Sequence, residues 1–79
     1  MIVTAKRIGN SKKESISVNN EIVLKSVEVG KWNYLLISKN EKYGCLVESK
    51  HKGEPAAADA FNQLSQKSSR ELRVIEVSR

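Results

Sequence analysis

Residues 31–47 read KWNYLLISKNEKYGCLV, and this stretch decides the fold because it predicts two strands joined by a tight turn. Large aliphatic and aromatic residues stand on both sides of Asn40-Glu41, which favour a turn. A two-residue turn there would pair Leu36 with Cys45 in an antiparallel hairpin. Apolar runs and turn residues then locate the elements before and after this hairpin.

The remainder of the chain predicts further strands and one helix. Asn19-Asn20 suits a tight turn with positive φ angles, and Gly30-Lys31 fits a two-residue hairpin turn that would pair Val27 with Tyr34. Pro55 favours a helix start, because its missing N–H would be unpaired at the first helical position. The predicted strands are residues 2–8, 16–18, 21–29, 32–39, 43–49 and 72–77, and the predicted helix is residues 55–67.

The predicted helix carries one apolar stripe in the i, i+3, i+4 and i+7 pattern that buries one face of a helix. The stripe consists of Ala57, Ala60, Phe61 and Leu64. We therefore predict a single domain of residues 1–79 in the α+β class. It consists of a small antiparallel β-sheet of five to six strands with one α-helix packed on one face, in the chain order β-β-β-β-β-α-β.

The predicted registers sort the sheet residues onto two sides, because side chains alternate along a strand. We expect the helix to cover the branched aliphatic side. The other side would then be closed by the terminal strands, by a second copy or by a ligand. The aliphatic side holds Ile22, Leu24, Leu35, Ile37 and Leu46, and the other side holds Val23, Val27, Val29, Trp32, Tyr34, Leu36, Tyr43, Cys45 and Val47.

The chain is basic, with a formal net charge of +5 from fourteen Lys and Arg against nine acids. The excess is uneven, because residues 1–13 hold Lys6, Arg7, Lys12 and Lys13 and no acid. A positive field attracts nucleic acid or another acidic partner, although many basic domains use lysine only for solubility.

Aromatic residues flanked by lysines indicate how nucleic acid would be bound. Trp32, Tyr34 and Tyr43 on an open sheet would stack bases, and neighbouring lysines would contact phosphates. The alternative is that these rings are core residues with polar tips at the rim. The predicted nucleic-acid-binding residues are Lys6, Arg7, Lys12, Lys13, Lys25, Lys31, Trp32, Tyr34, Lys39, Lys42, Tyr43, Lys50 and Lys52.

The sequence contains no catalytic, metal-binding or cofactor-binding pattern. Cys45 lacks a neighbouring base, because the one histidine, His51, falls in a polar segment. One cysteine and one histidine are too few for a zinc site, and the four glycines form no phosphate-binding loop. We therefore predict a non-enzymatic binding module with no catalytic residue, metal, cofactor or small-molecule substrate.

The single cysteine cannot form an internal disulfide, so we expect a reducing compartment, the cytoplasm. The sequence shows no signal-peptide pattern, and its longest apolar run, residues 34–37, is too short to span a membrane. We expect no membrane partner.

The predicted layout of residues 21–67, three strands followed by an alanine-rich helix, resembles sheet-reading DNA-binding domains of the plant ethylene-response and integrase-arm types. The resemblance implies DNA binding by the sheet, but the arginines that those families place on exposed strands are absent, and no functional residue is carried over. The leading prediction is nucleic-acid binding, to DNA or RNA. The alternative is a protein-binding module, an inhibitor or regulator of a macromolecular complex, that uses the apolar side, a sheet edge or a homodimer.

Overall fold

The computed structural model describes residues 2–77 and confirms the α+β class with the predicted chain order. The six strands and one helix in this range lie close to the predicted positions, because local apolar runs and turn residues determine where each begins and ends. Asn19 and Asn20 have the positive φ angles, 52° and 68°, predicted for their turn. The elements are β1 (Val3–Arg7), β2 (Glu14–Val18), β3 (Glu21–Val27), β4 (Tyr34–Asn40), β5 (Gly44–His51), α1 (Glu54–Ser65) and β6 (Leu72–Glu76).

The strands form two antiparallel three-stranded sheets rather than the single sheet that we predicted. The first sheet has the strand order β1-β2-β3, and the second has the order β5-β4-β6. The predicted pairing of β3 with β4 is wrong, because Tyr34 pairs with Glu76 of β6 and not with Val27. β6 pairs with the edge of β4 at which we predicted β3. Residues 28–33 therefore connect the first sheet to the second.

The turn between β4 and β5 has three residues instead of the predicted two. The Oδ1 atom of Asn40 accepts hydrogen bonds from the N–H groups of Lys42 and Tyr43, each at 2.9 Å. Gly44 closes the turn with a φ angle of +84°, which a residue with a side chain rarely adopts. Cys45 therefore pairs with Lys39. This extra turn residue exchanges the faces to which the side chains in the first half of β5 point. The predicted faces of these side chains are therefore wrong.

The main core lies between the two sheets. Leu35, Ile37 and Ile75 of the second sheet belong to one buried cluster with residues of the first sheet, among them Ile16 and Leu24. The aliphatic side of β4 is thus covered by the N-terminal strands. This resembles one of the three expected ways of closing an open sheet, but it closes the side that we had assigned to the helix.

The helix α1 covers the opposite face of the second sheet. Ala57 is fully buried, and Leu36 lines the same shallow groove as Ala60 and Leu64. Our expectation that the helix covers the aliphatic side is therefore wrong, because the first sheet already occupies it. The molecule has three layers, in the order first sheet, second sheet and helix.

Candidate nucleic-acid interface

The strand directions bring three basic segments together at one end of the molecule. Glu14 pairs with Val27, so Lys13 and Glu28, the residues just beyond this pair, lie at the same end of the first sheet. The Nζ atom of Lys50 donates a hydrogen bond to the Glu28 carbonyl. The loop after β1, the connection after β3 and the end of β5 therefore meet around residue 28.

A β-bulge in β5 determines the direction of Lys50. The pairing with β4 shifts by one residue between Val47 and Ser49, so Glu48 is an extra residue in the strand. Side chains alternate along a strand, and one extra residue therefore moves Lys50 to the side that faces the first sheet. From that side its ammonium group donates the hydrogen bond to the Glu28 carbonyl.

We call this region the basic end, and we define it by six cations and one aromatic residue. Lys50 is half-buried and the other five cations are exposed. The ion pairs formed between residues 2–77 lie elsewhere, at Lys39–Glu71 (3.9 Å) and Arg70–Glu48 (3.1 Å). The residues of the basic end are Arg7, Lys12, Lys13, Lys31, Lys50, Lys52 and Trp32.

The positive excess of the described residues is confined to the basic end and the adjoining outer face of the first sheet. At the basic end, the six cations outnumber four acids, Glu14, Glu28, Glu54 and Glu76. The outer face adds Lys6 and Lys25. The rest of residues 2–77 is balanced, with five cations (Lys39, Lys42, Lys67, Arg70 and Arg73) and five acids (Glu21, Glu41, Glu48, Asp59 and Glu71).

The outer face of the first sheet is covered by no described part of the chain. The register places Thr4 beside Ser17 and Lys6 beside Ser15. Lys25 follows the buried Leu24 and is exposed. Hydroxyl and ammonium groups are frequent contacts of nucleic-acid phosphates, so this face extends the basic end chemically.

Trp32 lies in the connection between the sheets, not on a strand as predicted, and its side chain is 37% exposed. The Nζ atom of Lys52 lies 5.9 Å from the centre of its ring, which is within the range of a cation–π contact. The tryptophan is absent from the main core cluster. It is therefore an aromatic surface residue with a cation beside it.

Of the other two predicted aromatic contacts, Tyr34 lies at the same end of the second sheet as Trp32 but on the helix side, and Tyr43 lies at the opposite end. Tyr34 is half-buried on the helix side of β4, and its hydroxyl donates a 2.8 Å hydrogen bond to Glu76. This hydrogen bond, together with burial, raises the pKa of Tyr34. Tyr43 is 61% exposed in the turn after β4, with the Lys42 ammonium 5.3 Å from its ring centre. The seven residues of β4 place Tyr34 and Tyr43 roughly 20 Å apart.

The expected common face of three aromatic rings is therefore wrong. It depended on a two-residue turn before Tyr43 and on a β3–β4 hairpin, and the structure has neither. Lys39 and Lys42 also lie at the end opposite the basic end. The structure brings together seven of the thirteen predicted site residues at the basic end and places Lys6 and Lys25 on the adjoining face.

Sequence reasoning missed the residues that support the basic end. The backbone N–H of Asn33 donates to the His51 carbonyl (3.1 Å), and its side-chain amide donates to the Lys52 carbonyl (3.2 Å). Glu48 supplies the bulge. An asparagine just before a strand is a weak sequence signal for these two hydrogen bonds, and nothing in the sequence predicts the bulge.

The structure also describes the surroundings of the cysteine and the histidine. Cys45 lines an open cleft of about 320 Å³ with Lys39 and Arg73, whereas His51 lies at the other end of β5, 2.7 Å from the Ser49 hydroxyl. Within residues 2–77, no three His, Cys, Asp or Glu side chains are grouped to hold a metal ion. The same range contains no helix long and apolar enough to cross a membrane.

The predicted resemblance of residues 21–67 to sheet-reading DNA-binding domains does not hold in the structure, because β3 belongs to a different sheet from β4 and β5. Comparison with known proteins gives no family: no family model, no curated protein and no solved structure matches the chain. Proposals about function therefore depend on the geometry and charge of the basic end.

Proposed function

We propose that the chain is a small, basic, non-enzymatic module that binds nucleic acid through its basic end and the adjoining face of the first sheet. The observation that supports this proposal is the location of charge: the positive excess of residues 2–77 lies in this region, and the rest is neutral. The exposed cations of this region form no ion pair within residues 2–77, so they can attract a polyanion without breaking one. The proposal requires no cofactor or small-molecule substrate.

The basic loop between β1 and β2 has the main electrostatic role in this proposal. Lys12 and Lys13 are exposed, and the loop is held by hydrogen bonds between Ile8 N–H and the Lys13 carbonyl (3.0 Å) and between Ser11 N–H and the Ile8 carbonyl (3.0 Å). Its shape is thus defined before a partner arrives. Each phosphate that its ammonium groups contact would release a counterion and strengthen binding at low salt.

The test is a charge reversal with a matched control. Lys12→Glu/Lys13→Glu should weaken binding to a mixed-sequence oligonucleotide, and Lys39→Glu/Lys42→Glu, with the same change in net charge at the opposite end, should weaken it much less. If both lysines contact single-stranded phosphates, the slope of log affinity against log salt should fall in magnitude by about 1.4 in the first variant. Fluorescence anisotropy titrations at several salt concentrations measure both quantities. Equal losses in the two variants would contradict the proposed location, and no binding by the unmodified chain would contradict the proposed function.

A protein-binding role, as an inhibitor or regulator or through a homodimer, is the second candidate. It is favoured by Ile2, just before β1, and Ile22 of β3, which are 70% and 62% exposed, and by the outer edges of β1 and β6, each of which pairs with one strand only among the described residues. Apolar contacts and strand addition depend little on salt. A partner retained at high salt, with no loss in the Lys12→Glu/Lys13→Glu variant, would support this role over nucleic-acid binding.

The proposal also includes a cytoplasmic location. Cys45, the only cysteine of the chain, is a free thiol, which suits a reducing compartment. Fractionation of cells that express the chain, followed by detection with an antibody, tests this part separately.

A further inference from the structure

Trp32 combines an exposed ring with a fixed backbone. The Trp32 N–H donates to the Val29 carbonyl at 3.2 Å, in a turn where Gly30 has a φ angle of +61°. The next residue, Asn33, donates its N–H to the His51 carbonyl of β5 and accepts a 2.7 Å hydrogen bond from the Val77 N–H. Hydrogen bonds therefore fix the backbone at Trp32 and at the residue after it, and Trp32 is not part of the main core cluster.

Trp32 thus has an ordered backbone and remains partly exposed. Tryptophan buries more apolar area than any other side chain when it lies in a core, and here over a third of it remains in water. A ring whose backbone is already ordered loses little conformational freedom when it contacts a partner. These properties are those of a stacking platform.

The charges around the ring indicate which partner the platform suits. Lys31 precedes Trp32 in the chain, the Lys52 ammonium lies 5.9 Å from the ring centre, and the Lys50 ammonium donates a hydrogen bond to the carbonyl of Glu28, which starts the connection that contains Trp32. Each base of a nucleic-acid strand has one phosphate before it and one after it in the chain. An aromatic ring flanked by cations can therefore stack on the base while the cations contact the phosphates. In a duplex the bases are already stacked on each other, and only an unpaired base has a free face.

We propose that the basic end binds single-stranded nucleic acid and that one base stacks on Trp32. This inference rests on the proposed function and makes it more specific, because it names the strandedness of the partner and the residue that selects it. The sequence predicts three rings on one platform, whereas the structure leaves Trp32 as the exposed ring among the cations of the basic end.

The chain has one tryptophan, so its intrinsic fluorescence reports on this ring alone. An oligothymidylate of about 12 nucleotides, within the range of small single-strand sites, should quench this fluorescence, and a duplex of equal length should bind more weakly without comparable quenching. Trp32→Ala should lower the affinity for the oligothymidylate about 5- to 150-fold, and Trp32→Phe should retain most of it. Tyr43→Ala is the matched control, because it removes an exposed ring with a lysine beside it at the opposite end, and it should leave affinity unchanged.

The outcomes separate this inference from the proposed function. Quenching, together with a selective loss in Trp32→Ala, would support both. Salt-dependent binding that is equal for duplex and single strand, and unaffected by Trp32→Ala, would overturn the inference and leave the proposed function standing. Failure of every oligonucleotide to bind would overturn both.

Discussion

Glu48 contributes both to the stability of the fold and to the geometry of the basic end. We therefore predict how much stability the protein loses when its side chain is truncated to alanine. As the extra residue of the β5 bulge, it directs Lys50 toward the first sheet. Its Oε1 atom accepts a 2.8 Å hydrogen bond from the Ser38 hydroxyl and a 3.1 Å bond from the Arg70 guanidinium. Ser38 is 0% exposed, so water cannot replace the carboxylate as its partner.

The expected cost of Glu48→Ala follows from the two contacts. A buried hydroxyl left without a partner costs about 1–3 kcal/mol of unfolding free energy. The Arg70 contact adds little, because its guanidinium is mostly exposed and can return to water. In a domain of this size, each 1 kcal/mol lowers the melting temperature by about 4–8 °C, so we expect a decrease of roughly 5–20 °C.

Thermal unfolding followed by circular dichroism measures this effect in a double-mutant cycle. The Ser38→Ala/Glu48→Ala variant should be more stable than Glu48→Ala alone, because it removes the hydroxyl together with its partner. Lys39→Ala serves as the control, since it breaks a 3.9 Å pair between two exposed side chains and should leave the melting temperature unchanged. Strictly additive effects, or a Glu48→Ala variant as stable as Lys39→Ala, would refute the reasoning.

Two further predictions concern stability. Ile75→Ala should cost about 2–5 kcal/mol because it empties a fully buried position between the sheets, whereas Trp32→Ala should cost clearly less; the reverse order in urea unfolding would place Trp32 in the core. The hydrogen bond to Glu76 raises the pKa of Tyr34 in the folded state above its usual value of about 10. This hydrogen bond therefore stabilises the protein fully below about pH 10. Its contribution is lost as the pH rises through the folded-state pKa. Wild type should therefore lose more stability than Tyr34→Phe as the pH rises above about 10, and parallel pH profiles would count against this effect.

Local signals in the sequence were sufficient to predict the elements. The positive φ angles at Asn19-Asn20 and the proline in the first turn of α1 confirm predictions that depend on neighbouring residues alone. Such signals act over a few residues, so they do not depend on which strands eventually pair.

The sheet partners could not be predicted in the same way. The edge of β4 accepts either β3 or β6, and both are short, β-branched strands with compatible alternation. In the structure Ile75 pairs with Leu35, about forty positions away, and both belong to the core cluster shared with the first sheet, so the pairing joins residues that no local signal connects. The register of β5 depended on whether the turn before it has two or three residues. A shift of one residue exchanges the two faces of a strand.

The concentration of charge follows from topology and not from any single basic run. β1, β3 and β5 run toward the same end, so cations that follow or end these three strands meet there, although they come from residues 7 to 52. The basic run in residues 6–13 was visible in the sequence, but its association with Trp32 and Lys52 required the strand order. A rearrangement that reversed the direction of β5 would separate Lys52 from Lys13 without altering composition or net charge. If the affinity falls with charge reversal at the basic end, and not with an equal change in net charge elsewhere, the topology determines the proposed function more than the pI does.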